Sequence, residues 1–141
     1  LVEAMGSLDE DEVDSRISCT KMRIVRELSL KQLCSAAMAY MLQHPKREWV
    51  KNGKLLEVKN MEAEGAGYGA IAIARGENPR VRGRRGTVVG ILKEKDGFFL
   101  AAKVGIVGED IQPDIWYQLN EEGMWEDEKK NSYVDTAVVT K

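Results

Sequence analysis

The sequence predicts an α+β fold that is mainly β, with a small antiparallel barrel, SH3-like or related, and one N-terminal apolar helix over about residues 29–44. Three observations lead to this class. Short apolar segments separated by turn residues recur after residue 45. Apolar side chains before residue 45 recur at helical spacing. Strand and helix patterns do not alternate, which argues against a doubly wound α/β fold.

The N-terminal segment is acidic. Residues 1–15 carry six acidic side chains and no basic one. Such a block repels itself and has little apolar surface to bury, so we expect residues 1–15 to be a solvated, disordered arm. Residues 16–141 are enough for a single globular domain with its own core. The first predicted strand covers residues 16–25, which are rich in β-formers.

The predicted helix begins at a capping box, in which Ser29 and Gln32 each satisfy the other's backbone N–H group. It ends before Pro45, which lacks the next hydrogen-bond donor. Between residues 33 and 42 the helix is apolar almost all round, whereas a surface helix has a polar face. The helix therefore either lies inside the core or covers a partner subunit.

The remaining segments are predicted strands with turns between them. An Asn-Gly turn at residues 52–53 is typical of a hairpin joining residues 49–50 to residues 55–58. Residues 65–69 are a glycine-rich loop, and residues 70–75 alternate isoleucine with alanine. Further strands are predicted at residues 86–92, 98–104, 115–119, 124–125 and 133–140.

Charge is segregated along the chain. Residues 16–103 have a net charge of +10 and residues 104–141 a net charge of −6, although the whole chain has −2. Five arginines and one acid occur within residues 75–86, RGENPRVRGRRG. The planar guanidinium group matches phosphate oxygens and stays charged, while an exposed tyrosine can stack on an unpaired base. The predicted nucleic-acid contacts are Arg75, Arg80, Arg82, Arg84 and Arg85, aided by Tyr68, Lys51 and Lys54. Four phosphate contacts would give a logarithmic salt slope near −3.

Two other interpretations of these arginines stay open. They can belong to a solvated loop whose charges keep a hairpin tip soluble or that docks on the acidic residues 109–128 of the same chain, or they can bind an acidic protein partner. Ion pairs within the chain would remove the argument for a polyanionic ligand.

The arginine-rich segment also contains a motif. Residues 83–88 have the form GxxGxV and are followed by Val89-Gly90-Ile91-Leu92. This resembles the core of a KOW motif, an element of SH3-like barrels in ribosomal proteins and transcription elongation factors. The resemblance covers about residues 80–104. It implies a tight glycine loop that leads into the first barrel strand and contacts nucleic acid or protein.

Few residues suggest catalysis or metal binding. Cys19, Cys34 and His44 are the chain's complete set of cysteine and histidine, and their spacing fits no zinc site. We therefore expect no enzyme, no metal and no cofactor. Two widely spaced cysteines and no cationic leader indicate a reducing, cytoplasmic location. No apolar run approaches the length needed to span a membrane, so we expect no membrane partner.

Two functions follow from this sequence. The first is a non-catalytic module that contacts nucleic acid, RNA in preference to DNA, through the arginine-rich loop. The second is a structural or adaptor subunit of a larger assembly, or a homo-oligomer, which binds partners through its apolar helix and its charged ends. Met38, Tyr40 and Trp116 are the predicted contacts of that protein interface.

Overall fold

The structure is a computed structural model that describes residues 1–11, 16–45 and 56–128. Its elements, in chain order, are β1 (Val2–Glu10), β2 (Ile17–Ile24), α1 (Leu30–Gln43), β3 (Leu56–Gly65), β4 (Ile71–Gly83), β5 (Val88–Lys95), β6 (Phe98–Ile106), β7 (Tyr117–Leu119) and β8 (Trp125–Asp127). The predicted mainly β class with one helix is confirmed for the described chain. The predicted hairpin at residues 49–58 falls mostly outside these ranges, and so do Lys51, Lys54 and the predicted strand at residues 133–140.

Strands β3 to β8 form one curled sheet that resembles half of a barrel. Its order is β6-β5-β4-β7-β8, and β3 also pairs with β4. The prediction of a purely antiparallel sheet is wrong, because β3 with β4 and β4 with β5 are parallel pairs. The other pairs of this sheet are antiparallel.

These parallel pairs have unusually short connections. Parallel neighbours normally need a crossover of about a dozen residues or more, yet residues 66–70 join β3 to β4 and residues 84–87 join β4 to β5. A bend in both β3 and β4 makes this possible. Their register is interrupted where Met61 of β3 lies opposite residues 76–79 of β4. Met61 and Gly76 both have positive φ there, 70° and 136°. The bend shortens the distance that each loop must span.

The core lies on both faces of β4 and β5. Inside the curl, Ala72 and Ala74 pack in a buried cluster with Val81 and Tyr117. On the outside, Ile71 and Ile73 belong to a second cluster beneath α1. The helix therefore lies against the isoleucine face of β4. The small alanine side chains occupy the concave side, where a curled sheet has less room.

Helix α1 packs on β5 at Gly90, where a Cβ atom would lie 2.5 Å from Met38 Sδ. Met38 is 3% exposed, so its predicted role in a partner interface is wrong: it belongs to the core. The capping box forms, with Ser29 Oγ accepting from the Gln32 N–H at 3.1 Å and Gln32 Oε1 accepting from the Ser29 N–H at 3.0 Å. Among the described residues, no helix has the length and apolar character to cross a membrane.

Strands β1 and β2 form a separate two-stranded antiparallel sheet. Val2–Glu10 is thus a strand, whereas a disordered arm was expected from its charge. The neighbouring strand supplies the reason. Arg23 forms an ion pair with Glu3, and Leu8 lies opposite Cys19. The acidic block is visible in the sequence of residues 1–15, whereas the arginine that pairs with one of its acids lies on β2.

The two thiols should differ in reactivity. Cys34 is buried, and this burial raises the pKa of its thiol to about 12; Cys19 is half-buried and free. Since the thiolate is the nucleophile, a thiol reagent near neutral pH should titrate one cysteine in the folded protein and both in urea. Cys19→Ser should abolish the fast phase and Cys34→Ser should retain it. Equal rates for both thiols in the folded protein would contradict the packing of α1 on the sheet.

Candidate nucleic-acid interface at the loop tip

Three of the five predicted phosphate-binding arginines form ion pairs within the chain. Arg75 donates to Glu94 Oε2 and Oε1 at 2.9 and 2.6 Å. Arg82 donates to Glu64 at 2.9 Å. Arg80 forms ion pairs with Glu62 and, at 2.7 Å, with Glu128. Their placement in an open phosphate clamp is therefore wrong.

The register of β3 beside β4 produces two of these ion pairs. Glu62 lies opposite Arg80, and Glu64 lies opposite Arg82. Side chains two residues apart on a strand project from the same face, so an acid-x-acid segment meets an arginine-x-arginine segment. The hydrogen bonds to Glu128 and then to Glu62 raise the pKa of the Arg80 guanidinium above its ordinary value. The period-2 spacing of both segments is visible in the sequence, but the register that joins them is not.

Trp116 lies between two of the paired arginines. Its ring centroid is 4.6 Å from Arg80 Cζ and 4.5 Å from Arg82 Cζ, which are cation–π distances. The same guanidinium groups contact the carboxylates of β3. Trp116 is thus held in an intramolecular stack and is not a free contact for a partner. Tyr40 remains at the surface, where its ring stacks on His44 with the centroids 4.1 Å apart.

Tyr68, Arg84 and Arg85 meet at one end of the sheet, which we name the loop tip: residues 66–70 and residues 84–87. Tyr68 is 83% exposed, and its ring occupies the space that a Cβ atom on Gly86 would need. Arg84 and Arg85 are also exposed. Neither forms an ion pair with the described part of the chain. One aromatic ring and two cations therefore share this tip.

Thr87 joins the two loops of the tip. Its side chain is fully buried. Its Oγ1 accepts a hydrogen bond from the Gly67 N–H at 2.9 Å and donates one to the Arg84 carbonyl at 2.8 Å. Gly65 and Gly83 leave room for this side chain, since a Cβ atom at either position would collide with it. The tip is thus fixed by a buried residue that sequence analysis missed, although its position after a glycine-rich turn is a signal for such a role.

Arg85 extends along a neighbouring turn. Its Nη1 would lie 2.8 Å from a Cβ atom on Gly108, so the lack of a side chain at Gly108 lets the guanidinium rest there. The Asp110 carboxylate in this turn accepts a hydrogen bond from the Ile106 N–H at 2.7 Å. Its Oδ2 is therefore engaged with the backbone, and the packing against Gly108 restricts where the Arg85 guanidinium can lie.

The motif at residues 83–88 is a tight turn between β4 and β5, with Gly86 at a φ of 89°. Comparisons with known protein families, curated proteins and solved structures gave no match. Within residues 1–11, 16–45 and 56–128, no three His, Cys, Asp or Glu side chains are grouped so that they could hold a metal ion. The chemistry that the tip offers is stacking and hydrogen bonding to anionic oxygens.

Replacing Thr87 with Val should destabilise the protein. The isosteric change removes both hydrogen bonds of the Thr87 hydroxyl and leaves the buried Gly67 N–H without its acceptor, which costs about 1–3 kcal/mol of the free energy of unfolding. Urea denaturation measures this loss. Thr20→Val is the matched control, because Thr20 is exposed and its hydroxyl accepts a hydrogen bond from the exposed Ser7 N–H; we expect a change of about 0.5 kcal/mol or less. Equal effects of both substitutions would show that Thr87 does not fix the tip.

Proposed function

We propose that this protein is a non-catalytic module that binds single-stranded nucleic acid, RNA in preference to DNA, through the loop tip. Tyr68 stacks on an unpaired base, and Arg84 and Arg85 contact the flanking phosphates. The observation that carries this proposal is the exposed tyrosine beside two arginines that have no ion pair with the described residues, on loops joined by Thr87.

The proposed site is smaller than the sequence predicts. Arg75, Arg80 and Arg82 are engaged by carboxylates, so a phosphate would have to displace those partners. Of the five predicted arginines, Arg84 and Arg85 remain, enough for two phosphates. An unpaired base suits this geometry because its face is accessible to an aromatic ring, whereas the bases of a duplex are stacked on each other. RNA loops and ends present such bases most often.

The proposal also covers the fold around the loop tip and the cellular location. The tight turn at residues 83–88 would contact the ligand as the motif implies, on a curled sheet whose parallel pairs distinguish it from an antiparallel SH3-like barrel. The free cysteines Cys19 and Cys34 suit a cytoplasmic compartment, where thiols stay reduced.

Removing Arg84 and Arg85 together should abolish most of the salt dependence of binding. Two phosphate contacts predict a slope of log affinity against log salt of about −1.4 for a single strand. In Arg84→Ala/Arg85→Ala the slope should fall close to zero, and affinity at low salt should fall about tenfold or more. Fluorescence anisotropy with a labelled single-stranded RNA at several salt concentrations measures both quantities.

The matched control is Arg23→Ala/Arg26→Ala, which removes the same charge from the N-terminal region and should keep the wild-type slope. Equal losses in the two double variants would mean that net charge, and not the loop tip, governs binding. No binding of wild-type protein at low ionic strength would reject the proposed function itself.

The tyrosine ring should contribute separately from the charges. Tyr68→Ala should weaken binding by about 1–3 kcal/mol, the value typical of one stacked base, without changing the salt slope. Tyr68→Phe keeps the ring and should bind about as well as wild type. The same anisotropy titration compares the variants with a single strand and with a duplex. A Tyr68→Ala variant that binds as tightly as wild type would remove stacking from the mechanism.

A second candidate function is a structural or adaptor subunit. The outer side of α1 supports it, because Leu33 and Tyr40, which lie two turns apart on one side of the helix, are exposed while Met38 and Cys34 on the inner side are buried. Such a strip fits a protein partner, which the acidic segments at both ends of the chain would help to orient. Under this alternative, Arg84→Ala/Arg85→Ala has no effect on RNA binding because there is none. Leu33→Asp would instead release the partner or dissolve an oligomer.

A further inference from the structure

The β1–β2 hairpin is an incomplete sheet. Among the described residues, its strands hydrogen-bond only to each other. An isolated two-stranded hairpin is marginally stable in water, and each strand presents an outer edge of backbone N–H and C=O groups that a further strand can pair with. The hairpin is therefore well suited to accept another strand.

Apolar side chains occupy both faces of this hairpin. Val2 lies opposite Ile24, which is 80% exposed, and Met22 projects from the same face. Leu8 and Ile17 project from the other face and are also exposed. Neither face is covered by the six-stranded sheet or by α1. Pairing with further strands would reduce the exposure of both faces at once.

Charge is divided between the two strands. β1 carries the acids Glu3, Asp9 and Glu10, whereas β2 carries the bases Lys21 and Arg23. Glu3 and Arg23 form an ion pair within the hairpin. Lys21 lies opposite Met5 and has no ion pair with the described residues. Each outer edge of the hairpin thus belongs to a strand whose charged side chains all have the same sign.

We propose that the hairpin binds a second copy of this chain edge to edge, with β1 of one copy antiparallel to β2 of the next. The charges select this arrangement. Pairing β1 with β1, or β2 with β2, would place like charges opposite each other, which destabilises a sheet. Pairing β1 with β2 instead sets a strand whose charged side chains are all acidic beside one whose charged side chains are all basic. Because the two surfaces differ, the contact is head to tail and leaves a free edge at each end of the assembly.

This inference is independent of the loop tip, and its test uses the oligomeric state of the full chain. Sedimentation velocity over a wide range of protein concentration should show an average mass that keeps rising beyond that of a dimer. Lys21→Glu leaves the Glu3–Arg23 pair in place but opposes the acids of the next copy. It should weaken association about fivefold, because an attractive cross-strand pair becomes repulsive. Lys95→Glu makes the same charge change on the six-stranded sheet and should associate like wild type.

Amide hydrogen exchange provides a second measurement. The amides of β1 and β2 should exchange more slowly as concentration rises, while those of α1 stay constant. A monomer at every concentration would overturn the proposal. So would a closed dimer, or association that Lys21→Glu and Lys95→Glu affect equally. Slower exchange in α1 with no change in the hairpin would assign self-association to the helix and also reject it.

Discussion

The parallel pairing of β3 with β4, bent where Met61 lies opposite residues 76–79, is the constraint on which the rest of the structure depends. It lets short loops join parallel strands, so residues 66–70 and 84–87 meet at one end of the sheet. It also sets Glu62 and Glu64 beside Arg80 and Arg82. One register therefore decides both which arginines are neutralised and which remain available at the loop tip.

The ion pairs on this sheet contribute little to stability, and their main effect is on which ligands the arginines can bind. The side chains of Arg80 and Arg82 are each about one-third exposed, and exposed ion pairs contribute only about 0–1 kcal/mol. Stacking on Trp116 adds a similar amount. Their main consequence is that two guanidinium groups cannot bind a phosphate without leaving a carboxylate unpaired. The net charge of residues 16–103 therefore overstates how many of their cations can bind a polyanion.

Sequence patterns predicted the features that depend on residues close together in the chain. The mutual hydrogen bonds of Ser29 and Gln32 form as expected, and apolar alternation located the segments that became β4, β5 and β6. The parallel register and the pairing of Val2–Glu10 with β2 were missed because they depend on residues distant in the sequence. At the candidate site, Tyr68, Arg84 and Arg85 were chosen from their loop context and do meet. Thr87 was overlooked because its role depends on Gly65 and Gly83, which are distant from each other in the sequence and leave room for its side chain.

Charge segregation along the sequence becomes charge pairing in space. Glu3 of the acidic N-terminal strand pairs with β2, and two arginines of β4 pair with β3. Some charges that look like attachment points in the linear sequence are thus already paired with a neighbouring strand. Arg84, Arg85 and Lys21 are among the cations that have no ion pair with the described residues. Each of them lies on a fixed turn or a strand edge, and that position limits which carboxylate or phosphate can reach it.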